Sequence, residues 1–476
     1  MDRRLKKRIR RTLIVVVLAA VVLVVYAKRE YIQQLPIGCA FKAKAMCAGV
    51  FIQGCDPGAV VREDVGFNPL FKLFKAKIDR GEKSVTCSLL GTGLFGKKAI
   101  LVEGLGPVLL SGVPEADIRA WKAPRSEPKP ADPAAVAWPA GDLMPGAPVP
   151  ASVDAARIEK AIGGLFVESN PKVKLYTRAV LVLYDGRIVA ERYGEGITQD
   201  TPLLSWSMAK SFTNALVGIL VKQGRLSIMA PAPVAEWAAP TDPRHAITLD
   251  QLMRMSSGLE WFEDYTAHPV SDVNRMLFLE PDMGAYAAAK PLAARPDSRW
   301  SYSSGTPNIV CRVLRDAVGG REAFWAFPRR ELFDKIGMRS AVWGVDASGV
   351  FIGSSYLYAT ARDYARFGLL CLNDGVGGGE RILPEGWMAY STTPTPPALI
   401  GQYGAFFWLN RGRAGNPGMR PYPGLPEDLY LADGYQGQAI IMVPSRKVVV
   451  VRLGMTYDDN WGMPKFLAEV LAAIKP

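Results

Sequence analysis

The stretch from Ser207 to Gly224 constrains this chain most, because a serine and a lysine open a strongly apolar helical pattern. Ser207 and Lys210 are three residues apart, and residues at that spacing lie on one face of a helix. The pattern stops at Gly224. The apolar residues before it recur at helical spacing: Met208, Phe212, Ala215, Leu216, Ile219 and Leu220. We therefore expect a buried helix that places a hydroxyl nucleophile beside an amine base.

Burial of this helix predicts the chemistry of Lys210. Loss of hydration lowers the pKa of a lysine from about 10.4 toward the range in which the amine accepts a proton. The alternative is structural, with Ser207 as a helix cap and Lys210 in solvent. The Ser-x-x-Lys pattern also occurs from Ser126 and from Ser169, but a proline interrupts both of these copies, so neither is expected on a helix.

The histidine content argues against a Ser-His-Asp triad. The chain contains two histidines, His245 and His268, and both are expected in loops. The Gly-x-Ser-x-Gly elbow of the α/β-hydrolases does not occur. A serine enzyme built from this sequence therefore needs lysine or tyrosine as its base.

Two further segments supply polar groups for such a site. Tyr302-Ser303-Ser304 lies on a predicted loop before an apolar helix, where the Tyr302 hydroxyl could relay a proton. The segment from Gly434 to Gln438 runs into an apolar strand, and the amides of Ser207 and Gln438 could form an oxyanion hole. The alternative is that both segments have only a structural role. Tyr302 would then cover the core, and the segment from Gly434 would be a glycine-rich start of a strand.

In this order the three motifs resemble the serine β-lactamase and penicillin-binding protein superfamily, especially its class C-like branch with esterases and 6-aminohexanoate-oligomer hydrolases. The resemblance covers about residues 151 to 476. Four further phrases are similar to this branch: Trp206 to Ser211, Met255 to Leu259, Gly353 to Tyr356 and Leu383 to Trp387. The resemblance implies an α+β fold, an antiparallel sheet flanked by helices with a helical lobe.

The same resemblance implies roles for individual residues. Ser207 would be the acylated nucleophile, Lys210 its base partner, and Tyr302 the general acid and base. The opposite edge of the site would be lined by Tyr435, Gly437 and Gln438, with Ser304 beside substrate. No metal or organic cofactor is implied.

Two departures from the family pattern bear on the substrate. Ser304 stands where many members have asparagine, and Tyr435 stands where β-lactamases and peptidases have lysine. Without that cation an anionic substrate loses a partner. We therefore expect a hydrolase of small amides or esters, with a D-Ala-D-Ala carboxypeptidase-type penicillin-binding protein and a non-catalytic envelope binding module as alternatives.

The N-terminus predicts a place of action. Residues 1 to 11 contain seven basic residues and one acidic residue, and an uncharged apolar run from Leu13 to Ala27 follows. This run is slightly shorter than the roughly 20 residues that span a bilayer comfortably. We expect residues 1 to 29 to form an uncleaved signal anchor in the inner membrane with the catalytic domain in the periplasm, or an exported protein if the signal is cleaved. Half of the net charge of +12 lies in this tail and the rest of the chain is only mildly basic, so no nucleic-acid partner is expected.

Residues 30 to 121 are interpreted as a separate small region, with strands expected at Val85 to Leu90 and at Lys98 to Glu103. It contains four of the six cysteines: Cys39, Cys47, Cys55 and Cys87. In an exported region four cysteines can form disulfides, with three possible pairings. The spacing of these cysteines does not match that of zinc ligands. Cys311 and Cys371 are expected in the core. Residues 122 to 150, rich in proline and alanine, are predicted to be an extended linker rather than a packed element.

The region from 151 to 476 is predicted to hold two hairpins. Arg178 to Leu183 pairs with Arg187 to Tyr193 across Asp185-Gly186, and Ala439 to Val443 pairs with Val448 to Leu453. Further helices are expected at Ile309 to Val318, after the caps Thr248 and Thr360, and at Pro464 to Ile474.

Overall fold

The computed structural model describes residues 11–12, 14–19, 29–123, 132–144, 146, 148–170, 174–413, 416, 418–457 and 460–475. The predicted anchor, Leu13 to Ala27, lies largely outside them, and residues 14–19 are helical. The two proline-interrupted Ser-x-x-Lys copies also fall wholly or partly outside them. Within this described part of the chain, no helix has both the length and the apolar character needed to cross a bilayer.

The strands, in chain order, are β1 Phe74–Asp79, β2 Ser84–Leu89, β3 Lys97–Val102, β4 Gly106–Leu109, β5 Thr177–Tyr184, β6 Arg187–Tyr193, β7 Leu203–Leu204, β8 Val342–Trp343, β9 Leu357–Ala359, β10 Val376–Gly377, β11 Glu380–Arg381, β12 Trp408–Leu409, β13 Tyr430–Gly434, β14 Gln438–Val443 and β15 Val448–Gly454. The helices are α1 Arg29–Phe51, α2 Pro57–Glu63, α3 Glu115–Arg119, α4 Ala155–Leu165, α5 Ala209–Lys222, α6 Leu249–Met253, α7 Asp272–Leu279, α8 Met283–Ala288, α9 Gly305–Val318, α10 Arg321–Pro328, α11 Ala361–Leu372, α12 Trp387–Ser391 and α13 Met463–Ala472.

A six-stranded antiparallel sheet in the order β12-β13-β14-β15-β5-β6 forms the centre of the catalytic region. Both predicted hairpins, β5 with β6 and β14 with β15, are confirmed. Successive side chains of a strand point to opposite faces. One face packs on α11 and the other on α4 and α13, which explains why these strands are apolar at nearly every position.

Helix α5 lies in the core with most of its length buried, as its apolar pattern predicts. It ends before Gly224, which adopts a left-handed φ of 69°. The cap of α6 is a full capping box, with Thr248 and Gln251 bonding each other's backbone. Thr360 caps α11 through the amide of Asp363, but the Asp363 carboxylate turns to Ser340 instead of closing the box.

The N-terminal region contains α1 and an antiparallel sheet, β1-β2-β3-β4, whose second and third strands confirm the two strand predictions. Helix α1 was not predicted, although its run from Phe41 to Ala48 is rich in alanine, lysine and methionine, which are good helix formers. Helix α1 packs against this sheet and against α7 of the catalytic region. Both regions therefore contribute to one hydrophobic core, and the proposed domain boundaries stay a prediction.

The expectation that the linker is unpacked is wrong for residues 132–144. The Arg366 guanidinium is buried and donates to the carbonyls of Pro139 and Gly141, at 2.7 and 2.6 Å. The Trp138 indole donates to Gly186 at 2.9 Å. A buried charged group is stable only when it is hydrogen-bonded. The bonds from the Arg366 guanidinium to these carbonyls therefore hold the segment in place.

All six cysteines are free thiols in the structure. Cys311 and Cys371 are buried core residues, as predicted. Cys39 on α1 and Cys87 on β2 are buried and share a hydrogen bond.

Candidate active site

A strained turn presents Ser207. Trp206, the residue before it, has a left-handed φ of 44°, which is rare for a bulky residue. The Trp206 indole holds this conformation by donating to Gln436 at 3.1 Å and packing against Tyr356. The 3₁₀ turn Trp206–Met208 then leads directly into α5, so the Ser207 amide lies at the positive end of a helix.

Lys210 is buried, and its amine donates to the hydroxyl of Ser207 at 2.8 Å. Further contacts join the amine to the Ser304 hydroxyl at 3.2 Å and to the Ser354 carbonyl at 3.3 Å. Burial lowers the pKa of Lys210 to about 8, against the opposing effect of the Glu263 and Asp433 carboxylates. The predicted nucleophile and base are thus in contact, and a substantial fraction of the amine is neutral near pH 8.

Tyr302 is the third predicted residue, and it hydrogen-bonds Ser207. Its ring lies 4.8 Å from the Lys210 amine and stacks on Trp408 at a centroid distance of 5.4 Å. Burial, and then the charge of Glu263, raises the pKa of Tyr302 well above its ordinary value. Tyr302 therefore keeps its proton at neutral pH and can act as a donor, while Lys210 is the group suited to accept one.

Glu263 is a site residue that the sequence did not point to. Its carboxylate accepts from the Ser304 hydroxyl at 2.6 Å, from the Ser304 amide at 2.8 Å and from the Tyr265 hydroxyl at 2.7 Å. The Trp261 indole donates to the same carboxylate at 2.5 Å. Glu263 thus fixes Ser304 against the Lys210 amine.

The end of β13 forms the opposite edge of the site. An added Cβ at Gly434 would lie 2.4 Å from the Ser205 carbonyl oxygen and 3.1 Å from the Ser207 nitrogen, and the shorter contact requires glycine at this close approach. Tyr435 lines the cavity and stacks on Tyr265, with ring centroids 5.0 Å apart at 14°. Both rings line the same cavity as Ser207 and Tyr302.

Gly437 and Gln438 lie behind this edge and are not among the residues that line the cavity. The Gln438 side chain bonds the carbonyl of Tyr435 at 3.2 Å and accepts from the Gly454 amide at 3.1 Å. The oxyanion role of the Gln438 amide stays a prediction.

The cavity above Ser207 has a volume of about 340 Å³. Its walls combine three acidic residues with aromatic rings: Glu263, Asp264, Asp433, Tyr265, Tyr302, Trp408 and Tyr435. Neither histidine lines it: His268 bonds Asp264 from the surface, and His245 bonds the Trp237 carbonyl. The arrangement supplies a nucleophile, a neutralisable amine and a phenol, the groups that acyl transfer requires.

Comparison with known proteins agrees with this geometry. The sequence matches the beta-lactamase family over residues 170–462. A 6-aminohexanoate-dimer hydrolase of Paenarthrobacter ureafaciens is 27% identical over 226 residues, which are 44% of this chain and 56% of that protein. The chain thus spans little more than half the length of this curated relative.

Solved structures share the fold. A putative 6-aminohexanoate-dimer hydrolase from Bacillus anthracis superposes with a TM-score of 0.52 at 24% identity, covering 63% of this chain and 79% of that one. A putative beta-lactamase from Bacteroides dorei DSM 17855 superposes with a TM-score of 0.53 at 17% identity, covering 67% of this chain and 98% of that one. With its α+β architecture and a family match over more than half its length, this chain belongs to the beta-lactamase family.

Proposed function

We propose that this protein is a serine hydrolase that cleaves small amides or esters through an acyl-enzyme on Ser207. The observation that carries the proposal is the 2.8 Å contact between the buried Lys210 amine and the Ser207 hydroxyl, which lines the cavity. The lowered pKa of Lys210 supports the same assignment.

The reaction follows from the positions of these groups. Neutral Lys210 takes the proton of Ser207 as its oxygen bonds the substrate carbonyl carbon, and the oxyanion forms beside the Ser207 amide. The carbon–oxygen or carbon–nitrogen bond then breaks, and Tyr302 passes a proton to the leaving group while Lys210 replenishes it. Water attacks the acyl-enzyme in the reverse sense, which releases an acid and returns the proton to Ser207.

The charge of the cavity favours neutral substrates. Glu263, Asp264 and Asp433 all line it, and their carboxylates repel a carboxylate on the substrate. Tyr435 supplies no cation to offset them. The name of the curated relative, 6-aminohexanoate-dimer hydrolase, supports the cleavage of an amide and does not bear on the charge of the substrate. We therefore place amides and esters ahead of the D-Ala-D-Ala peptides that end in a free carboxylate.

Covalent labelling tests this proposal. The protein is exposed to a fluorophosphonate and, separately, to a penicillin, and the adduct is located by mass spectrometry, with Ser207→Ala as control. We expect a phosphonyl adduct on Ser207 and no lasting penicilloyl adduct. Stable adducts from both reagents would identify a penicillin-binding peptidase instead, and no adduct from either would identify a binding module.

We also propose that the protein is held in the inner membrane by a single N-terminal span, with its catalytic region in the periplasm. The basic segment at residues 1 to 11 and the apolar run from Leu13 to Ala27 support this placement. Alkaline extraction of cell membranes checks the anchor, and protease accessibility in spheroplasts checks the side. Recovery in the soluble fraction, or protection from protease, would contradict the placement.

A further inference from the structure

A second cavity lies beside the active site, between the N-terminal region and the catalytic region. Its volume is about 610 Å³. Helix α1 and the 3₁₀ turn Pro69–Lys72 form one wall, and α7 forms the other. We call this cavity the tail chamber. Its volume lies in the range of about 300 to 1,000 Å³ that is typical of small-molecule sites.

The tail chamber adjoins the cavity of the proposed chemistry. Tyr265, Thr266 and Tyr435 line both cavities, so the stacked tyrosine pair forms the partition between them. Trp206 lines the chamber and is the neighbour of Ser207 in the chain. A chain bonded to a carbonyl at Ser207 would have to pass the Tyr265 and Tyr435 rings to enter the chamber.

The chamber wall is apolar. Leu35, Phe41, Phe71, Leu277 and Phe278 contribute hydrocarbon surface, and no charged residue is found among the described residues that line it. Two of its polar residues are already engaged with backbone. Asn274 donates to the carbonyls of Asp264 and Tyr265, and Asn68 accepts from the Leu70 amide. Such a wall favours a hydrocarbon group over a polar one.

The chamber depends on a part of the chain that the family match does not include. The match covers residues 170–462, whereas α1 and the turn Pro69–Lys72 precede it. Helix α1 is fixed there by Phe41, whose ring contacts Trp206 and Phe278 of the catalytic region. The N-terminal region thus has a structural reason to affect which substrates the site accepts.

Resting on the function proposed above, we propose that the tail chamber binds the unbranched hydrocarbon chain of the substrate acyl group. The acyl group stays bonded to Ser207 through both steps, while the leaving group must depart after the first, so a deep apolar chamber suits the acyl side. The substrate class is then an ester or amide of a medium- or long-chain fatty acid.

A chain-length series tests this proposal. The full-length protein hydrolyses p-nitrophenyl esters from acetate to decanoate, each below its micelle concentration. We expect kcat/KM to rise by roughly fourfold per added methylene until the chamber is full, as burial of a hydrocarbon chain predicts. A flat or falling series with measurable acetate hydrolysis would overturn the chamber proposal and leave the hydrolase proposal standing.

Matched variants locate the effect. Leu70 lies in the turn and Leu73 directly follows it, and they are 48% and 42% exposed, but only Leu70 lines the chamber. Leu70→Glu should lower decanoate turnover at least tenfold and leave acetate turnover unchanged, whereas Leu73→Glu should change neither. Leu277→Trp, which fills the chamber from α7, should have the same effect as Leu70→Glu. Equal effects of the two glutamate variants on decanoate would contradict the proposal.

A binding measurement separates the chamber from the chemistry. A fluorescent dodecanoyl amide is titrated into the Ser207→Ala protein and followed by fluorescence anisotropy. We expect saturable binding that Leu70→Glu weakens and Leu73→Glu does not. Absence of saturable binding would overturn the chamber proposal. Saturable binding to a protein that hydrolyses no ester, acetate included, would overturn the hydrolase proposal alone.

Discussion

At the scale of single residues, the chemistry of the site depends on opposing influences on Lys210. Burial favours the neutral amine, whereas the carboxylates of Glu263 and Asp433 favour the ammonium. Glu263 also orders Ser304 through two hydrogen bonds. It therefore acts as a positioning residue that sets both the geometry and the protonation of the base.

The dependence of activity on pH should report this balance. Only the neutral amine accepts a proton, so kcat/KM should rise with pH through an apparent pKa of about 8, the value for buried Lys210. Glu263→Gln removes a charge that stabilises the ammonium, so the rise should move to lower pH by about 1 pH unit. Steady-state kinetics between pH 6 and 10 measure both profiles.

The control for this prediction is Glu260→Gln, which changes an exposed carboxylate three positions earlier in the chain. Its profile should coincide with that of the unchanged protein. A profile of Glu263→Gln that stays in place or moves to higher pH would show that Glu263 does not act on the base.

At the scale of elements, the site is formed where the end of β13 meets the turn before α5. Gly434 has an extended backbone with a φ of −139°, which alanine adopts without strain. A Cβ there would nevertheless lie 2.4 Å from the Ser205 carbonyl and 3.1 Å from the Ser207 amide. The contact between strand and turn, and not the backbone conformation, therefore requires glycine.

Gly434→Ala should accordingly move the nucleophile while leaving the strand intact. Displacing a reacting group by about 1 Å lowers kcat on the order of 100-fold. The measurement is the ester turnover of the variant together with its thermal unfolding. Gly424→Ala, at a glycine whose Cβ would meet nothing within 4 Å, is the matched control and should leave both unchanged. Equal turnover of the two variants would contradict the contact described here.

At the scale of the whole molecule, a buried ion pair joins the N-terminal region to the central sheet. Arg178 on β5 bonds the carboxylate of Asp64, which follows α2, and both side chains are less than a tenth exposed. Glu63 adds a second contact at 3.3 Å. Arg178 stays charged, so its stability in the core depends on these partners from the other region.

Asp64→Ala should therefore destabilise the molecule by about 3 to 5 kcal/mol, because it leaves a buried guanidinium without its main partner. Denaturant unfolding measures this loss, and limited proteolysis should cut the N-terminal region first. The control is Glu159→Gln, which breaks an ion pair with Arg192 that is 43% exposed on both sides. That change should lower stability by less than about 1 kcal/mol. Similar losses in the two variants would rule out a special role for the buried pair.

The sequence by itself determined the features that depend on local pattern. The apolar helix behind Ser207, the hairpin at Asp185-Gly186 and the cap at Thr248 follow from spacing, turn residues and capping within a few positions. The contact between Ser207 and Lys210 was predicted for the same reason, since the two residues are one turn apart. Each of these features depends on residues that are only a few positions apart, so it can be predicted from the local sequence.

Only the tertiary structure decided which distant residues complete the site. Glu263 reaches Ser304 from 41 residues away, and Gly434 lies against the turn that carries Ser207. The tail chamber likewise exists only because α1 packs against α7, more than 200 positions later in the sequence. Such contacts are selected by how elements pack and not by the periodicity of any one element, so they cannot be found by pattern alone.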